Sequence, residues 1–170
     1  MSEVAKPHLL MSARGMWLTR WRSLLPALWA GGLLCVALLA TPAPFAMLAA
    51  ADAGRVVSRM LAQEAYASLA LAILMLVLER VAARRGSMAG AGTQFTAGMA
   101  LALGALFCTV AGYFAVQPMM AAARAGDGPL SFMQLHAVSA AFYVLKTGLV
   151  LALAWRACSP SGQVRPSISS

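Results

Sequence analysis

The chain has 170 residues, of which 61% are hydrophobic and 11% charged, with a formal net charge of +8. Soluble domains carry roughly 25% charged residues, so this composition excludes a soluble globular domain and fits a single membrane-embedded one. The positive balance comes without a basic stripe interleaved with aromatics, which argues against a nucleic-acid partner and for Lys and Arg gathered at the ends of membrane helices.

The chain starts with a basic segment, residues 1–23, whose "LLMSARGMWLTRWR" reads as an amphipathic helix lying along the interface. A hydrocarbon core of roughly 30 Å takes about 20 apolar residues as helix. Four segments meet that length, at about 24–48, 57–81, 95–119 and 130–155. Lipid offers no partner to a bare backbone, so each must be a helix bonded within itself. The first run is longer than the 7–15 apolar residues of a signal core, so it reads as a retained span despite the small-residue "TPA" before Pro44. The connections "AAADAG", "ARRGSMAGAGT" and "AAARAGDGP" carry helix-stopping Gly and Pro, and residues 157–170 read as a disordered tail. The expected fold is all-α, an integral membrane four-helix bundle over residues 24–156.

Orientation follows from the cationic residues. Lys6, Arg14, Arg20, Arg22, Arg80, Arg84, Arg85, Arg156 and Arg165 fall on one side, against Arg55, Arg59 and Arg124 on the other. Both termini are therefore expected in the cytoplasm, of a bacterial inner membrane. Trp17, Trp21, Trp29 and Trp155 are expected as indole anchors at that same interface.

Packing in lipid depends on small residues that let backbones approach. The third span repeats Ala100, Gly104, Cys108 and Gly112 every four residues, and the first repeats Ala27, Gly31 and Cys35. This predicts a tight monomeric bundle, with a homo-oligomer or larger membrane complex through Gly104, Cys108 and Gly112 as the alternative. "PFAMLAAADAG" and "PMMAAARAGDG" also suggest two related hairpins, as in transporter repeats. Cys35, Cys108 and Cys158 match no zinc or redox spacing, and no disulfide is expected.

The functional signal is polar chemistry at depth. Glu64 sits about seven residues into the second span and His136 about six into the fourth, both roughly 10 Å below the outer boundary at 1.5 Å per residue. Gln63, Ser68, Gln117 and Ser139 are near that level. At 100° per residue His136, Ser139, Tyr143 and Lys146 fall within about 80°, a polar stripe on one face of the fourth span. Intramembrane ionisable groups face the bundle or a wet cavity and pair. The expectation is a pocket near the periplasmic side made by Glu64, His136, Ser139, Gln117 and Tyr143, with Glu64 and His136 paired. Lys146, about 15 Å deeper than His136, is expected outside that contact, with the second-span face that holds Met75 and Glu79 as its candidate partner. His136 and Glu64 are metal-ligand types, and His136 alone would suit a haem iron. A helix-orienting role for His136 explains the same residue without any ligand. No nucleophile elbow, phosphate loop or carboxylate pair occurs, so no enzyme is expected and no cofactor is assigned.

Several stretches resemble a known family. "LWAGGLLCVALLATPAPFAML", "AGRVVSRMLAQEAY", "VQPMMAA" and "FMQLHAVSAAFYVL" are similar to the transmembrane protein 205-like family, catalogued in bacteria as domain of unknown function 4149. The shared positions are Trp29, Gly31, Gly32, Pro42, Phe45, Gly54, Arg55, Pro118, Phe132, Leu135, His136 and Ser139, over about residues 25–157. The resemblance implies a four-helix membrane protein with no established activity. It also implies remote similarity to copper-resistance membrane proteins and to a haem-binding protoporphyrinogen oxidase family, which makes metal or haem candidates for His136.

Overall fold

The structure, a computed structural model, describes residues 6–88 and 95–159. The expected tail beyond Ser159, with Arg165, and much of the connection between the second and third spans lie outside the described residues.

The described residues form α-helices α1 (Lys6–Cys35), α2 (Pro42–Met47), α3 (Ala50–Met88), α4 (Ala97–Thr109), α5 (Val116–Arg124) and α6 (Phe132–Cys158). A π-helical segment, Val36–Ala40, joins α1 to α2, and another, Val110–Ala115, joins α4 to α5. Among the described residues four continuous helical runs are long and apolar enough to cross a membrane: Gly15–Met47, Ala50–Met88, Ala97–Arg124 and Phe132–Cys158. The protein is a multi-pass membrane protein.

Both π-helical segments precede a proline. Pro42 and Pro118 carry no N–H for the carbonyl one turn back, and their rings crowd it. Widening the turn relieves this: Thr41 N–H reaches five residues back to Val36 O at 2.9 Å, and the Thr41 hydroxyl donates to the same oxygen at 2.8 Å.

Two turns are sharper than the sequence suggests. "AAADAG" is not a loop, because α3 already starts at Ala50, leaving only residues 48–49 between α2 and α3. After α5, Gly126 and Gly128 take positive φ. Gly126 N–H bonds Ala123 O at 3.3 Å and Asp127 N–H bonds Ala122 O at 3.0 Å, the paired closure of a Schellman turn. α6 then starts from a capping box in which Ser131 and Gln134 each bond the other's backbone N–H. At the start of the third span Phe95 and Thr96 lead into α4, and the Thr96 hydroxyl accepts from Met99 N–H at 3.2 Å.

The helices alternate in direction. α1 packs on α3 and α6, and α4 packs on the same two, so α3 and α6 face each other across a diagonal. A hydrophobic cluster from all four spans fills the half nearer the chain's start, built on Trp29, Leu33, Ala72, Met75, Ala105 and Val150. A smaller cluster, Val116, Met120 and Leu135, closes the other end. A polar layer lies between them. The later part of the third-span stripe packs within this bundle, while Ala100 is exposed: Gly112 and Cys108 are buried, and a Cβ added at Gly112 would come within 2.5 Å of Phe142 Cβ on α6. The first-span stripe faces outward, with Ala27, Gly31 and Cys35 all exposed.

Candidate functional site

The polar layer centres on an ion pair across the α3–α6 diagonal. Lys146 Nζ donates to Glu64 Oε1 at 2.8 Å and to Oε2 at 2.9 Å. The two side chains are 4% and 10% exposed. Geometry explains the match. Glu64 lies fourteen residues beyond Ala50, the first residue of α3, and Lys146 fourteen beyond Phe132, the first of α6. Each is therefore about 21 Å along its helix.

The pair has further partners. The Ser68 hydroxyl, one turn beyond Glu64, donates to Glu64 Oε1. Trp29 Nε1–H on α1 donates to Ser68 Oγ at 2.9 Å. Lys146 Nζ also sits 4.7 Å from the centre of the Tyr143 ring, whose hydroxyl donates to Leu33 O at 2.9 Å. Nearer the far end, Ser139 donates to Gly112 O, within the second π-helical segment, at 2.9 Å. Side chains on α6 thus bond the backbone of the first and third spans at or beside their π-helical turns, a feature that recurs at functional sites.

Beside this network is a cavity of about 280 Å³. Glu64, His136, Ser139, Gln117 and Tyr143 all line it, and so does Lys146. Leu61, Met120 and Val144 give it apolar walls. The lining is mostly apolar with a few convergent polar groups.

Two sequence expectations are corrected here. Glu64 pairs with Lys146, not His136. Counting depth from Val57 starts α3 about two turns late and puts Glu64 at the level of His136. His136 lies only four residues, about 6 Å, into α6. It is exposed beyond the bundle wall and stacks on Phe132, ring centres 6.0 Å apart, with Arg124 over the same Phe132 ring at 4.5 Å. Trp29 is not an interfacial anchor but a buried donor at 4% exposure. Trp17, Trp21 and Trp155 are exposed, and Gln63 faces outward as well.

A second ion pair, with Glu79 buried and Arg22 half-buried, is not evident from composition or spacing. Arg22 on α1 grips Glu79 on α3 with two bonds, Nε to Oε1 at 2.7 Å and Nη2 to Oε2 at 3.0 Å, and Thr96 Oγ1 adds a third at 3.1 Å. The signal that could have found it is position. Arg22 precedes the first span and Glu79 ends the second, so antiparallel neighbours bring opposite charges to one level.

The sequence profile of a domain of unknown function, DUF4149, matches residues 24–128, more than half of the chain. The chain belongs to the DUF4149 family. The matched stretch holds Glu64, Glu79, most of the first span and all of the second and third, while α6, with His136 and Lys146, follows it. No curated protein and no solved structure matches the chain.

Proposed function

We propose that this DUF4149 protein is a non-enzymatic protein of a bacterial inner membrane that binds or passes a small amphipathic ligand through the Glu64–Lys146 cavity. Both termini are cytoplasmic in this reading, so the cavity opens towards the periplasmic half. The observation that carries it is the buried ion pair beside a cavity. An ion pair in lipid costs desolvation that a plain packing role does not require, and intramembrane charges mark ligand and ion pathways. Tyr143, Ser139 and Gln117 then orient the polar end of the ligand, and His136 stands near its mouth.

A small organic ligand is favoured over a metal ion. Among the described residues no three His, Cys, Asp or Glu side chains gather, and Glu64, the best donor, is already held by Lys146. The remote likenesses to copper-resistance and haem-binding proteins supply the competing readings.

The test is native mass spectrometry of protein purified in mild detergent, beside its visible spectrum and metal content. Wild type is expected to retain a small-molecule mass that Ala140→Leu, which fills the cavity, loses. Equal retention by both removes the reading. A Soret band or stoichiometric metal lost in His136→Ala replaces it with the haem or metal alternative.

A further inference from the structure

A second cavity, about 510 Å³, lies at the opposite end of the bundle, where α1, α3, α4 and α6 meet. Arg22, Ser23, Glu79, Thr96, Arg156 and Ser159 line it. Its hydroxyl protons are already committed. Thr96 donates to Glu79, Ser23 to Thr19 O and Ala157 O, and Ser159 to Trp155 O. The Glu79 carboxylate is gripped by Arg22 on both oxygens.

What remains is a surplus of donors. A guanidinium has five N–H groups; Arg22 spends only two on Glu79, and Arg156 pairs with no other described residue. Two arginines against one carboxylate also leave one positive charge in excess. The complement of such a surface is an anion rich in acceptors and lacking donors. Planar guanidinium groups hold phosphate oxygens two at a time.

Depth identifies where such an anion comes from. Trp17, Trp21 and Trp155 are exposed around this end, and indole rings settle at headgroup level. Arg20, Arg80, Arg84 and Arg85 add to the positive field there. Basic pockets between membrane helices at this depth accept lipid headgroups.

We propose that this cavity is a phosphate site, filled in the membrane by the phosphodiester of an anionic phospholipid and held by Arg156 together with the free edge of Arg22. The site is independent of the Glu64–Lys146 cavity.

Tryptophan fluorescence and native mass spectrometry on the full chain in non-ionic detergent test it, with short-chain phosphatidylglycerol, phosphatidylcholine and inorganic phosphate as probes. Phosphatidylglycerol is expected to bind at least about tenfold more tightly than phosphatidylcholine, and Arg156→Gln to weaken it about tenfold, the effect of losing a charge-assisted hydrogen bond. Arg156→Gln keeps the wild-type melting temperature, because Arg156 holds nothing else among the described residues. Arg84→Gln, an exposed arginine outside the cavity, leaves binding unchanged. Displacement of the lipid by equimolar inorganic phosphate keeps the site and makes free phosphate its ligand. Equal binding of the two lipids, or equal losses in Arg84→Gln and Arg156→Gln, overturns the proposal, because the attraction is then diffuse.

Discussion

Glu64 and Lys146 show how a membrane interior handles charge. Each supplies the charge the other lacks, with Ser68 and the Tyr143 ring completing the surroundings. Removing one partner leaves an uncompensated buried charge, which costs about 3–5 kcal/mol, whereas replacing both by neutral groups of similar size is close to neutral. Lys146→Met is therefore expected to lower the melting temperature sharply in detergent, and Glu64→Gln with Lys146→Met to recover most of it. Equal losses in single and double variants would show that the two residues do not act as a pair. The individual residues were legible in the sequence, since any Glu, Lys or His inside an apolar run stands out. Their partners were not. Partner choice depends on helix starts, and Ala-rich "AAADAG" passes for a loop by composition while folding as the first turn of α3. Trp29 was misread for a related reason: an indole near a span end anchors at the interface unless a buried acceptor such as Ser68 faces it.

At the scale of the helices, small residues decide who can approach whom. Gly104 and Gly112 both face α6, but they are not equivalent. A methyl at Gly104 would lie 3.0 Å from Leu149 Cδ1, the free end of a side chain that can rotate away. A methyl at Gly112 would lie 2.5 Å from Phe142 Cβ, which moves only with its backbone. Overpacking of that kind costs about 1–3 kcal/mol. Gly112→Ala is expected to lose more thermal stability than Gly104→Ala, and to disturb the Ser139 bond to Gly112 O as α6 is pushed off. Comparable melting temperatures for the two variants would count against this packing. Four-residue spacing made the stripe readable from sequence alone. That it meets α6 of the same chain was beyond the sequence, because a small-residue face has the same pattern whether its partner is a neighbour in the bundle or a second copy. The π-helical turns were equally hidden, although Pro42 and Pro118 mark where the helical bonding has to change.

Across the whole molecule, the charge asymmetry and the pairing of charges reinforce one another. At the end with fewer cations, Arg55 pairs with Asp52 and Arg124 lies over Phe132, which leaves Arg59 and Arg124 without a carboxylate partner among the described residues. At the other end Arg156 pairs with no described residue, and Arg20, Arg80, Arg84 and Arg85 accompany it without a salt bridge to any described residue. Most of the unpaired cations thus lie at the end that also carries more Lys and Arg in total, the bias from which cytoplasmic termini are proposed. The protein carries its own reporters for this topology. Cys158 is exposed at the end of α6, Cys108 is buried, and Cys35 is exposed in the apolar part of the first span. Maleimides react with the thiolate, which needs water, so Cys35 facing lipid and Cys108 inside the bundle stay silent. An impermeant maleimide is expected to leave wild-type protein unlabelled in spheroplasts and to label Cys158 once the membrane is opened. Asp127→Cys, in the turn after α5, is expected to react in intact spheroplasts. Labelling of Cys158 from outside would invert the orientation, and with it the side of the membrane to which the Glu64–Lys146 cavity opens.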